Sequence, residues 1–66
     1  MYLIQIDLDD CKIIRLKMPI IPENGEKIYV KLGNDEDRTT IKLDCKLYEF
    51  DDNGNFEMVN FTGDPY

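Results

Sequence analysis

The segment from Arg38 to Phe61 restricts the possible folds of this chain more than any other. Apolar side chains fall on every second position of its first half, at Ile41, Leu43, Cys45 and Leu47. An apolar period of two is typical of a β-strand with one buried face. Asn53-Gly54 comes next, and Phe56 to Phe61 is again rich in apolar residues. Because Asn and Gly both accept the positive φ of a type I′ turn, the segment predicts a long β-hairpin.

Three further alternating segments precede this hairpin, at residues 2–8, 13–18 and 27–32. Asp9-Asp10 predicts a turn that joins the first two as a hairpin, and Pro22 to Gly25 predicts a β-turn before the third. We therefore expect one all-β domain over residues 1–66, with residues 62–66 as a short C-terminal tail. Five short strands favour a small antiparallel barrel or meander, SH3-like or OB-like, with little or no helix. The fourth strand is long enough to bend at a β-bulge.

The composition argues against catalysis. The 66 residues include no His, Ser, Trp or Ala, which excludes a serine triad and His-assisted cysteine chemistry. We expect no enzyme, cofactor or bound metal. Cys11 and Cys45 match no metal-ligand spacing, so a reduced cytoplasmic protein is expected, with a Cys11–Cys45 disulfide as the alternative. No apolar run has the length of a membrane span, and no signal peptide is recognisable after Met1.

The net charge of −6 comes from the second half of the sequence. Residues 1–33 contain five acids and five bases, whereas residues 34–66 contain nine acids and three bases. If the strands alternate in direction, the first and third connections meet at one end of the sheet. An acidic pole is then predicted there, formed by Asp9, Asp10, Asp35, Glu36 and Asp37. The opposite end would contain Glu23, Glu26, Asp51 and Asp52. The alternatives are that turns take Asp for backbone reasons alone, or that the acidic pole holds a divalent cation weakly.

Bases concentrate instead on the outward positions of the strands. Strict alternation predicts a basic sheet face with interleaved aromatic residues, formed by Lys27, Tyr29, Lys31, Lys42, Lys46 and Tyr48. Sheets that bind nucleic acid use aromatic rings for stacking and amines for phosphates. The same alternation points Tyr48 and Phe50 outward, beside Tyr29 and Ile13, as an exposed apolar strip. The alternative is that a bulge turns Tyr48 and Phe50 inward.

Glu49 to Asn60 superficially resembles a calcium-binding EF-hand loop. Its first position is Glu instead of Asp, and its twelfth is Asn60 instead of a bidentate Glu. A hairpin turn is the favoured interpretation.

These observations predict a small acidic binding protein without catalysis. The first hypothesis is a protein-binding modulator or inhibitor of phage or mobile-element type, which covers a basic surface of a nucleic-acid-handling host protein. The alternatives are a nucleic-acid-binding barrel that uses the basic face, or an assembly subunit. A subunit would pair through its first or fifth strand, with a homo-oligomer as one outcome. No membrane partner is expected.

Overall fold

Five β-strands make up the computed structural model, which describes residues 1–9, 12–31 and 38–66. They are β1 (Tyr2–Leu8), β2 (Ile13–Met18), β3 (Lys27–Lys31), β4 (Arg38–Phe50) and β5 (Phe56–Pro65). The strands form one sheet in the order β2-β1-β5-β4-β3, curled into a half-barrel. The predicted all-β fold is therefore confirmed. The described part of the chain contains no helix, and so none that could span a membrane.

The curled half-barrel agrees with the predicted small barrel, but one of its four strand pairs is parallel instead of antiparallel. The predicted hairpins β1–β2 and β4–β5 are present, and β3 pairs antiparallel with β4. The connection between β2 and β3 crosses from one edge of the sheet to the other, so β5 returns beside β1 in parallel. The edge strands are consequently β2 and β3. The expectation that the first or fifth strand pairs with a partner is wrong, because both are central in the sheet.

The core lies on the concave face of the three central strands. Its buried residues are Ile4, Ile6, Ile41, Leu43, Val59 and Phe61. Apolar residues of the outer strands and Ile21 of the β2–β3 connection pack around them. A single sheet has no second layer against which to bury its apolar face, so curling supplies the enclosure.

The alternation of β4 is interrupted at Cys45, where a β-bulge reverses the side-chain direction. Asp44 pairs with Thr62 and Leu47 pairs with Asn60, so two residues of β4 oppose the single Phe61. Cys45 has a φ of 54°, in the left-handed region. After the bulge, Leu47 lies on the convex face and is 58% exposed. The prediction that Cys45 and Leu47 continue the inward series of Ile41 and Leu43 is therefore wrong.

The β4–β5 turn forms at the predicted position but is not type I′. Asn53 has no positive φ; Gly54 does, at 82°. Gly54 N–H donates to the Asp51 carbonyl, and Asp51 N–H donates to the Asn55 carbonyl. This pattern fits a three-residue loop with a type I turn and glycine in the left-handed position. The Asp51 carboxylate accepts hydrogen bonds from the N–H groups of Asn53 and Asn55, both at 2.9 Å.

The turn before β3 is displaced by one residue from its predicted position. Glu26 N–H donates to the Glu23 carbonyl, and Gly25 takes a φ of 87° at the third position of the turn. A positive φ there is the requirement of a type II turn. Gly25 N–H also donates to the carbonyl of Leu43, and Leu43 N–H donates to the carbonyl of Glu26. The turn is thus attached to β4 beside the bulge.

The expected C-terminal tail is in fact part of the sheet. β5 continues to Pro65, and Gly63 pairs with Leu8 on one side and Leu43 on the other. A Cβ atom on Gly63 would lie 2.6 Å from Ile6 Cγ2 and 2.7 Å from Ile41 Cγ2. Gly63 is therefore a packing requirement of the core, since no larger residue fits between these side chains.

Candidate functional site

Four aromatic side chains lie together at one end of the concave face. Tyr2 and Phe50 each contact Phe56 edge-to-face, with ring centroids 6.1 Å apart in both pairs. Tyr48 lies two residues before Phe50 on the same side of β4, opposite Val59 of the core. All four are between 40% and 59% exposed. We call Tyr2, Tyr48, Phe50 and Phe56 the aromatic cluster.

Two register changes produce this cluster. The bulge at Cys45 turns Tyr48 and Phe50 to the core side, which is the inward alternative left open by the sequence. A second irregularity pairs Phe50 with Phe56 and leaves Glu57 as an extra residue in β5. The exposed strip of Tyr48 and Phe50 with Tyr29 and Ile13 does not form, because Tyr29 and Ile13 lie on the convex face.

The aromatic cluster lies in an acidic part of the chain. The segment from Leu47 to Phe61 contains four acids, Glu49, Asp51, Asp52 and Glu57, and no base. Asp52 and Glu57 are exposed, whereas Asp51 and Glu49 are half-buried. Hydrogen bonds from the Asn55 and then the Asn53 backbone lower the pKa of Asp51 against an opposing desolvation effect. This end of the molecule therefore combines exposed aromatic surface with negative charge.

Lys46 connects the cluster to the turn before β3. Its side chain is only 9% exposed, and Nζ lies 3.5 Å from the Glu23 carboxylate and 5.2 Å from the Tyr48 ring centroid. Hydrogen bonding with Tyr48 raises the pKa of Lys46, with a further contribution from the charge of Glu23 and an opposing one from desolvation. Lys46 and Tyr48 thus lie on the concave side and are separated from the rest of the predicted basic face.

The other members of that predicted face remain together on the convex side of β3 and β4. Tyr29 pairs with Thr40, Lys31 with Arg38, and Lys27 with Lys42. Two pairs of like charge therefore flank Tyr29 along the strands. Tyr66 continues the same row beyond β5, since its N–H donates to the Thr40 carbonyl. We call this set the basic tyrosine surface: Lys27, Tyr29, Lys31, Arg38, Lys42 and Tyr66.

The two tyrosines of this surface are the most exposed aromatic rings in the described part of the chain, at 67% for Tyr29 and 75% for Tyr66. Lys27 Nζ lies 3.6 Å from the Tyr66 ring centroid, and the Arg38 guanidinium carbon lies 6.0 Å from that of Tyr29. None of the four bases forms an ion pair with another described residue. One acid, Asp64 of β5, lies in register with Lys42 on the same face, so the surface contains four basic residues and one acidic residue.

The predicted acidic pole falls mainly outside the described residues. This applies to Asp10, Asp35, Glu36 and Asp37, whereas Asp9 is described and exposed. β1 and β3 run in the same direction, so their last residues, Leu8 and Lys31, lie at the same end of the sheet. The prediction of an acidic pole assumed this alternation of strand directions. At the other end, Glu23 and Glu26 lie beside the bulge, and Asp51 and Asp52 lie in the hairpin turn further along β4.

Sequence reasoning missed four members of these two surfaces, namely Tyr2, Phe56, Arg38 and Tyr66. Arg38 could have been predicted from the sequence, because it is the first residue of β4 and has the same alternation as Lys42, which was assigned to the outward face. Tyr2 and Phe56 meet only through the parallel pairing of β1 with β5, which leaves no local signal. Among residues 1–9, 12–31 and 38–66, no three His, Cys, Asp or Glu side chains are placed so that they could hold a metal ion. The chain matches no protein-family model, no curated protein sequence and no solved structure.

Proposed function

We propose that this chain is a non-catalytic protein-binding domain, and that the aromatic cluster is its contact surface. The observation that supports this is the contact of three partly exposed aromatic rings, Tyr2, Phe50 and Phe56, at one end of the sheet, with exposed Tyr48 on the same side of β4. Tyr and Phe are enriched at the centres of protein interfaces, where large rings are buried at a low cost in side-chain entropy. A contiguous exposed apolar patch is a common feature of such interfaces.

The charge around the cluster indicates the kind of partner. The hairpin from Leu47 to Phe61 contains four acids and no base, and the Lys46 beside Tyr48 is paired with Glu23, so a partner with an apolar centre and a basic rim is complementary. Exposed carboxylates at the rim accelerate association with a basic surface and disfavour an acidic one. The proposed partner is therefore a protein with a basic surface around an apolar contact.

This proposal retains the expected protein binding but moves its centre from the loops to the β4–β5 hairpin. Three finer expectations stay predictions from composition. They are that the partner handles nucleic acid, that the chain is an inhibitor of phage or mobile-element type, and that it is cytoplasmic. The absence of Ser and His from the sequence supports the non-catalytic assignment.

The test compares two forms of the chain as affinity baits in an extract of the native host. One is the parent and the other carries Phe50→Ala with Phe56→Ala, which removes two exposed rings without opening the core. We expect the parent to capture a basic protein that the double variant does not. With that protein purified, the double variant should weaken binding by at least about thirtyfold, as for interface hot spots.

Two controls separate surface from fold. Tyr29→Ala removes a more exposed ring from the convex face and should leave the affinity unchanged. Asp52→Asn with Glu57→Gln should slow association and flatten its dependence on salt. Equal capture by the parent and the double variant, or capture of no protein by either, contradicts the proposal.

A further inference from the structure

The basic tyrosine surface is independent of the aromatic cluster and lies on the opposite face of the sheet. It combines four bases on two neighbouring strands with two highly exposed rings in one row. Bases directly opposite each other in a sheet repel and destabilise it. The pairs Lys27–Lys42 and Lys31–Arg38 both have this arrangement. The two pairs lie about 13 Å apart along the strands, so an anion bound at each pair, such as two phosphates of one chain, would relieve both repulsions.

We propose that this surface binds single-stranded nucleic acid. Tyr29 and Tyr66 are separated by β4, which places their backbones about 10 Å apart across the sheet. Rings in such positions offer stacking faces to two nucleobases of one single-stranded nucleic acid. The Lys and Arg side chains of β3 and β4 lie on either side of the two rings, where they can contact phosphates. An acidic protein segment would satisfy the charges but would not use the two exposed rings.

The arrangement favours a single strand over a duplex. In a duplex the flat faces of the bases are stacked on each other and are not available to Tyr29 or Tyr66. A single strand exposes these faces, and each stacked base contributes to affinity without regard to sequence. Binding is therefore expected to be tolerant of sequence.

The net charge of −6 restricts the conditions under which this binding is observed. The Debye length is about 10 Å at about 0.1 M salt, so distant acids are screened while phosphates in contact with the surface still interact with its bases. At lower salt the acids elsewhere in the molecule are screened less, so they offset part of the attraction and make the salt dependence shallower than four phosphate contacts alone would give. For four phosphate contacts, a plot of the logarithm of the association constant against the logarithm of the salt concentration should have a slope between about −2 and −3.

The experiment measures fluorescence anisotropy of a labelled oligothymidylate of about ten nucleotides at about 0.1 M salt. The parent is compared with Lys31→Glu and with Lys17→Glu. Both lysines are exposed on edge strands, and both substitutions change the net charge equally. Lys31→Glu also replaces a repulsive pair with Arg38 by an attractive one, so folding is preserved. We expect at least about tenfold weaker binding for Lys31→Glu and a change below about twofold for Lys17→Glu.

A second pair of variants tests stacking. Tyr29→Phe keeps the ring and should keep the affinity, whereas Tyr29→Leu should reduce it about tenfold. Failure of the parent to bind the oligonucleotide at this salt concentration overturns the proposal. So does an equal loss in Lys17→Glu and Lys31→Glu, or equally tight binding of polyglutamate. None of these results bears on the aromatic cluster, whose variants lie on the other face.

Discussion

Asn24 holds the backbone of Lys46 through its side chain. Asn24 Oδ1 accepts a hydrogen bond from the Lys46 N–H at 2.9 Å, and the Glu23 carboxylate lies 3.5 Å from the Nζ of the same lysine. A bulge leaves one residue without its regular ladder partner. The turn before β3 supplies that partner here, so the register change that places Tyr48 and Phe50 on the concave face depends on Asn24.

Replacing Asn24 should therefore loosen the bulge. Asn24→Ala removes the acceptor and should lower the free energy of unfolding by about 1 kcal/mol. Asn24→Asp keeps an acceptor oxygen in the same place and should lose less. Chemical denaturation of the two variants measures the difference. Equal stability of Asn24→Ala and the parent would show that this hydrogen bond does not support the bulge.

Cys45 occupies a backbone conformation that suits glycine better. Its φ of 54° costs an L-residue about 1 kcal/mol or more, because Cβ crowds the backbone there. Cys45→Gly should therefore be more stable than Cys45→Ala by about 1 kcal/mol, in thermal or denaturant unfolding. Both variants remove the thiol, so loss of the sulfur is matched. If Cys45→Ala is the more stable of the two, position 45 does not adopt the left-handed conformation in solution.

Leu43 and Leu47 have the same parity in the sequence but opposite environments in the fold. Leu43 is fully buried, whereas Leu47 is largely exposed on the convex face. Leu43→Ala should cost about 2–5 kcal/mol through loss of burial and a residual cavity, an amount comparable to the whole stability of a small domain. Leu47→Ala should cost below about 0.5 kcal/mol. Similar losses for the two leucines would place the bulge elsewhere.

Asp51 gives the hairpin turn a predictable dependence on pH. Backbone hydrogen bonds lower its pKa below the usual 3.8, so ionised Asp51 stabilises the fold above that value. This contribution is lost as the pH falls through the lowered pKa. Asp51→Asn should destabilise the protein at neutral pH, and its difference from the parent should shrink as the pH falls below the usual pKa of 3.8 and through the lowered pKa.

Asp52→Asn is the matched control for this effect, since it removes the same charge from the adjacent turn position. Unfolding of the parent and both variants is followed across the acid range. A difference between parent and Asp51→Asn that does not change with pH would mean that the carboxylate's ionisation plays no part in the turn.

The sequence by itself determined the strands and most of their turns. Period-two alternation located the first four strands because each has one face towards the core, and the apolar segment from Phe56 to Phe61 located the start of the fifth. Gly25 and Gly54 located two turns because a positive φ favours glycine. The long hairpin with its Asn-Gly turn follows from the same local chemistry. These features depend on residues close together in the chain, so their signals are visible without a fold.

Only the tertiary structure decided which strands are neighbours and which side chains form a surface. The parallel pairing of β1 with β5 joins residues more than fifty positions apart, and it places Tyr2 against Phe56 and Gly63 between Ile6 and Ile41. The bulge at Cys45 reverses every later side chain of β4, which removes Lys46 and Tyr48 from the basic face. A one-residue change in register exchanges the two faces of a strand. The position of the bulge is supported by Asn24, which is distant from it in the sequence. The alternation along β4 alone therefore does not reveal where the register changes.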